Sequence, residues 1–225
     1  MNVLFAPRAH VSRAHTSQTH TSQTHAPRTR AAFLPILILG LAALLCPPAR
    51  AQATSSPDTS LSGPTLSPSR PVPTGKAPSM QVKQVSNTPG QQVYAVIFHK
   101  GDEALSGLTD FALQHHIEDA HFTAIGAVHS ATLAWLDLPH KIYRRIPIDE
   151  QCEVLSLIGD IATFNGKPVV HMHAVLGHSN GATTGGHVFA LNVDPTLEVF
   201  VTVNTTPLKK RPDDASGMKL IDPTQ

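Results

Sequence analysis

The chain has 225 residues, of which 41% are hydrophobic, 15% charged and 5% aromatic, enough for one ordinary domain and a tail. Residues 1–51 carry five arginines (Arg8, Arg13, Arg28, Arg30, Arg50) and no acid, so residues 52–225 hold 12 bases against 16 acids, a net charge of −4. That mildly acidic body argues against non-specific nucleic-acid binding, which depends on phosphate neutralisation, and two cysteines, Cys46 and Cys152, exclude a disulfide framework.

Residues 31–46 read AAFLPILILGLAALLC, an uncharged apolar run that follows Arg28 and Arg30. Pro47-Pro48 and Ala49-Arg50-Ala51 come next. A basic region, an apolar run and a small-x-small site are the parts of a secretory signal, with cleavage expected after Ala51 and a secreted or periplasmic destination. The run is short for a membrane span and Pro35 interrupts it, so an uncleaved membrane anchor is the alternative reading. Upstream lies HTSQTHTSQTH (15–25), a short His-bearing repeat that falls within the same leader, residues 1–51. Residues 52–87 are read as a flexible linker, rich in Ser, Pro and Thr over 52–79 and too poor in large apolar residues to build a core.

Residues 88–223 are expected to form one domain. Gln92–His99 alternates and is rich in β-formers, so it is predicted as a strand. Gly101-Asp102 follows, with Asp102 as the expected N-cap. Leu105, Leu108, Phe111, Ala112 and His115 then share one helical face, which predicts a helix ending near His116. The remaining signals are strands: Phe122–Val128, Ala131–Asp137, Lys141–Ile148 and Cys152–Phe164. Asn165-Gly166 is a strong two-residue hairpin turn leading into Pro168–Leu176. Ser179-Asn180-Gly181 marks another turn, before Thr183–Val193. Asp194-Pro195 is read as a turn before Leu197–Val203. One main helix and seven or eight strands give an α+β fold, a mostly antiparallel β-sheet with the helix covering one face.

The chemistry is concentrated in VVHMHAVLG (169–177). On a strand, i and i+2 point the same way, so His171 and His173 share the face opposite Val170, Met172, Ala174 and Leu176. A third imidazole, His187, follows Gly185-Gly186 on the next strand, and a hairpin would return it beside the pair. The two glycines permit close backbone approach. Three neutral imidazoles suit zinc or another divalent transition metal and leave a fourth position open. The alternative is an ordinary pair of sheet histidines hydrogen-bonded to backbone. His178 is an accessory candidate and His99 ends the first strand within reach of the same pocket. Glu153 is the candidate carboxylate for acid/base work. Cys152 reads as core and Lys209-Lys210-Arg211 as a solvated loop.

The segments FTAIGAVHSATLAWLD (122–137), EVLSLIGDIA (153–162), Gly166-Lys167-Pro168, HMHAVLG (171–177), GGHVF (185–189) and RPDDASGMKLI (211–221) stand in order along the chain. Together they resemble the PPC family, the domain conserved between plants and prokaryotes, over Gln91–Asp222. The resemblance implies an α+β fold with an antiparallel sheet and one main helix, assembled as a homotrimer. It also implies that His171, His173 and His187 are metal ligands near a subunit interface. The family is often described as DNA-binding in bacteria; in plants that contact comes from an Arg-Gly-Arg-Pro hook, which this sequence lacks. The expected function is thus a secreted or periplasmic, homotrimeric, zinc-type metal-binding module. A metal-dependent hydrolase or hydratase using the same three histidines is the alternative, and DNA binding is disfavoured.

Overall fold

The computed structural model describes residues 61–225; the leader, its cleavage site and the first part of the linker lie outside the described residues. Ten strands and one α-helix are described: β1 (Thr65–Leu66), β2 (Gln81–Thr88), β3 (Gln91–His99), α1 (Ala104–Gln114), β4 (Ala120–Asp137), β5 (Ile142–Ile148), β6 (Cys152–Phe164), β7 (Lys167–Gly177), β8 (Thr183–Val203), β9 (Lys209–Asp213) and β10 (Met218–Asp222). A single 3₁₀ turn, Leu138–His140, separates β4 from β5. The strands form one sheet in the order β1-β5-β4-β6-β7-β8-β3-β2, with β9 bridging to β6 and β10 pairing with β9. All pairings are antiparallel except the single β6–β9 bridge. Because β4 also pairs with β8, the run β4-β6-β7-β8 closes on itself. The α+β expectation, a mostly antiparallel sheet with one helix, therefore holds.

The Asn165-Gly166 turn works as its sequence demands. Both residues have positive φ (52° and 71°), which a type I′ turn requires, and the hairpin pairs Phe164 with Lys167. The Ser179-Asn180-Gly181 turn also forms, between β7 and β8, closed by Gly181 N donating to His178 O at 2.9 Å. Two other turn signals mislead. Phe122–Val128 and Ala131–Asp137 are not two strands but one, β4, with register shifts near Val128 and Ser130. Thr183–Val193 and Leu197–Val203 are likewise continuous in β8, and the Asp194–Pro195 bond, which is cis, lies within the strand. The irregularities of β4 and β8 fall at facing positions, Val128 opposite Val193, so both long strands deform together and keep their pairing.

Four strands were not anticipated. β2 lies mostly within the stretch read as linker and pairs with β3 along its length. It is mostly polar and exposed, with only Val82 and Ser86 half-buried, so it carries no clear hydrophobic alternation. The short β1 also lies in that stretch and pairs with β5. β9 and β10 form a hairpin, and the basic cluster Lys209-Lys210-Arg211 is strand rather than loop. Lys210 is buried, not solvated.

The core lies between α1 and the inward faces of the sheet. Leu105, Leu108, Phe111 and Ala112 of α1 are buried against Phe98, Phe122, Leu133, Leu157, Met172, Leu176 and Leu197. A smaller cluster joins Leu61, Leu66, Ala134, Tyr143, Phe189 and Ala190. The N-cap differs from expectation. Glu103, not Asp102, caps α1, accepting from Leu105 N at 3.0 Å and Ser106 N at 2.7 Å. Asp102 is one residue too early for the helix and closes the preceding turn instead, accepting from His99 N and Ser79 N, each at 2.9 Å.

Glu103 also accepts from Leu191 N of β8 at 3.0 Å, so one buried carboxylate ties helix to sheet. Burial raises its pKa, against the opposing pull of these three amides. Glu103→Ala would leave the three N–H groups without their acceptor. The expected cost is about 1–3 kcal/mol of unfolding free energy, read as a lower urea midpoint. An unchanged midpoint would show that the carboxylate does not hold helix to sheet.

Candidate metal centre

β7 is buried on one face through Val170, Met172, Ala174 and Leu176. The same alternation turns His171 and His173 to the other face, as the sequence predicts. The β7–β8 pairing sets His173 directly opposite His187. His187 can sit there because Gly186 lets β8 approach β4: a Cβ at Gly186 would lie 2.7 Å from Ala134 O. The three imidazoles converge, one nitrogen of each lying within 4.8 Å of one from each of the others. Their ring centroids are 5.1–5.3 Å apart, and the Nε2 atoms of His171 and His173 are 3.2 Å apart.

The surroundings fix these rings. Asp160 of β6 pairs across the hairpin with His171, and His171 Nδ1 lies 3.1 Å from Asp160 Oδ2. Assigning the proton to Nδ1, which then donates to the carboxylate, leaves the Nε2 lone pair free to face the cluster. The other oxygen of Asp160 accepts from Lys210 Nζ at 2.8 Å. His187 stacks on Tyr143, with centroids 4.6 Å apart and planes at 21°, and meets Phe189 edge-on at 5.1 Å. Tyr143 in turn donates to Met218 Sδ at 3.3 Å.

The electrostatics favour neutral rings at His187 and His173. Burial, with the nearby charges of His171 and His173 second, holds the His187 pKa down at about 3. Burial and then His171 lower His173 as well. Burial alone would raise Asp160, but hydrogen bonds from His171 and Lys210 outweigh it and leave the carboxyl below its usual range. His187 Nδ1 is buried and has no hydrogen-bond partner. An orphaned buried nitrogen beside two converging imidazoles fits a donor set for a divalent cation, which needs deprotonated nitrogen.

The other candidates fall elsewhere. Glu153 is exposed on β6 opposite Gly177 and Ala127; the carboxylate at the cluster is Asp160. His178 joins Glu150, Cys152 and Thr184 rather than the three histidines. His99 stands opposite Thr196 with Nε2 buried and unpaired. Sequence reasoning did not pick out Asp160, Tyr143 or Lys210. Asp160 was within reach, because counting back from the Phe164–Lys167 turn pairs it with His171.

The fold and the histidine cluster define a small sheet-dominated domain of a class shared between plants and prokaryotes. Residues 85–205 match the family model of the Plants and Prokaryotes Conserved (PCC) domain, and the chain belongs to that family. Solved structures agree. A candidate DNA-binding protein from Bacteroides thetaiotaomicron superposes with a TM-score of 0.61 at 22% identity, over 65% of this chain and 99% of that one. A metal-containing protein from Archaeoglobus fulgidus matches at 28% identity and a TM-score of 0.55, over 64% and 97%. The PPC protein of Pyrococcus horikoshii matches at 24% identity and a TM-score of 0.55, over 64% and 95%. No curated protein matches the chain.

Depression of the His187 pKa has a consequence for stability. The folded chain holds His187 neutral down to about pH 3, while the unfolded chain protonates it near 6.5. Above pH 6.5 the two states bind equal protons; below it the unfolded state binds more, so stability is lost as pH falls from 6.5 toward 3. In chelator-treated protein this one group contributes a slope of up to about 1.4 kcal/mol per pH unit. Urea unfolding from pH 7 to 4 should show a shallower slope for His187→Asn. Equal slopes would mean that His187 is not held neutral.

Proposed function

We propose that this protein is an exported, homotrimeric metal-binding module whose His171, His173 and His187 hold a divalent transition metal, zinc in the first instance. The single observation behind this reading is the convergence of three imidazoles, one of them with a buried nitrogen that lacks a partner. The 28% identical protein from Archaeoglobus fulgidus, a metal-containing protein, supports it. His171 is oriented by Asp160, itself anchored by Lys210, and His187 is wedged against Tyr143. These contacts aim the nitrogens before any cation arrives, which lowers the ordering cost of binding.

The trimer rests on the outward face of the sheet. Register carries a row from His173 to Ile158, from Ile158 to Thr123, and from Thr123 to Phe200. Ile158 is 58% exposed, and Ile125, Leu155, Val175 and Phe200 are also large apolar side chains left open to solvent. A largely apolar face running up to the histidines suits burial against further copies of the chain. Export rests on the sequence of residues 28–51.

A catalytic reading is the alternative, and the exposure of His173 favours it. A divalent cation on three imidazoles supplies Lewis acidity and lowers the pKa of a bound water. Within such a site, Asp160 would hold His171 in one tautomer, and the apolar face would limit access of bulk water. DNA binding has less support, because residues 52–225 carry a net charge of −4.

Mass spectrometry is expected to show His171→Ala/His173→Ala carrying about one divalent metal per subunit fewer than the unsubstituted chain, while the unfolding transition stays cooperative. A metal-free chain after exposure to zinc would overturn the reading. Light scattering should return about three times the monomer mass, and Ile158→Asp should lower it. A wild-type monomer would remove the trimer.

A further inference from the structure

A second cluster of donors lies where β6 begins and β7 ends. The Glu153–Gly177 pairing brings the start of β6 alongside His178. His178 Nδ1 is 2.9 Å from Glu150 Oε1 and 3.5 Å from Cys152 Sγ, and its Nε2 is 2.8 Å from Thr184 Oγ1. Cys152 is buried, at 2% exposure, the His178 side chain is 14% exposed and that of Glu150 is 59% exposed. The donors therefore form a short funnel from a buried sulfur to an open carboxylate. We infer that Glu150, Cys152 and His178 form a second metal site, for a thiophilic divalent cation such as zinc, separate from the three-histidine centre and independent of its role.

The geometry fits the ion. Zinc–sulfur and zinc–nitrogen bonds of about 2.3 and 2.0–2.1 Å put tetrahedral S and N ligands roughly 3.5 Å apart. The Cys152–His178 separation already has that value, 3.5 Å. The nitrogen–oxygen separation needs roughly 3.3 Å on the same geometry, which the exposed Glu150 reaches by drawing back slightly from 2.9 Å. Charge also balances, since thiolate, carboxylate and a neutral imidazole together neutralise a dication.

The tautomer can change in place. Without a cation, Nδ1–H donates to Glu150 and the Thr184 hydroxyl donates to Nε2. With Nδ1 on the ion, Nε2–H donates to the same hydroxyl, which accepts as readily as it donates. A nucleophilic role for the thiol is disfavoured: burial, then the Glu150 charge, push its pKa up, and it is closed to solvent. A bound cation offsets the rise by stabilising the thiolate, and its binding releases the thiol proton.

Cobalt(II) titration of the metal-stripped full chain tests the site, because a thiolate ligand gives a sulfur-to-cobalt charge-transfer band that an all-histidine centre cannot give. The expected result is a saturable band that persists in His171→Ala/His173→Ala and in Cys46→Ser and disappears in Cys152→Ser. Glu150→Gln, at an exposed side chain, should weaken cobalt binding at the band by about tenfold or more. No band in the wild-type chain, a band that survives Cys152→Ser, or one lost with Cys46→Ser would overturn the proposal. Should Cys152→Ser fail to fold, Glu150→Gln decides it: unchanged affinity overturns the site, and tenfold weakening supports it. Loss of metal from the three-histidine centre with the band intact would sink the proposed function and leave this site standing.

Discussion

Alternation along β7 is the constraint on which the rest depends. Val170, Met172, Ala174 and Leu176 are driven into the core, so the residues between them have only the other face to occupy. A slip of one residue would bury two imidazoles and expose four apolar side chains, which is why the register is so strongly specified. The hydrophobic effect, acting on residues with no chemistry of their own, thus places His171 and His173. The long β4–β8 pairing then carries His187 to the same place, with Gly186 removing the obstruction.

What could be read from the sequence follows from how local each signal is. The β6–β7 hairpin is set by Asn165-Gly166 and two flanking apolar runs, so both strands and the His pair were legible. Asp160 follows from the same turn by counting, but only once a cross-strand partner of His171 is sought. The helix was legible from its apolar face, yet its cap was not. Asp102 has the commoner capping side chain, but Glu103 at the next position reaches forward to Leu105 and Ser106 and gains a third amide from β8. That third contact is tertiary and leaves no local trace.

The misses share a cause. β2 earns its place by backbone pairing with β3 and buries little of its own side chains, so no periodicity marks it. Asp194-Pro195 carries a strong turn signal, but the facing strand bends at the matching position and the ladder continues. Lys210 was read as solvated because three adjacent bases normally are. It is buried because a carboxylate 50 positions earlier accepts its hydrogen bond, and no local rule contains that partner.

The Lys210–Asp160 contact gives the C-terminal hairpin a thermodynamic part in the histidine cluster. β9 touches the sheet through one bridge, Thr163 to Lys209, and through this ion pair at the neighbouring residue. Asp160 holds Lys210 with one oxygen and His171 with the other. A cation held by His171 would therefore change the grip on the hairpin, and by reciprocity the hairpin's docking would change the cation affinity of His171. The last seventeen residues of the chain are thus an energetic neighbour of the site, although none of them belongs to its donor set.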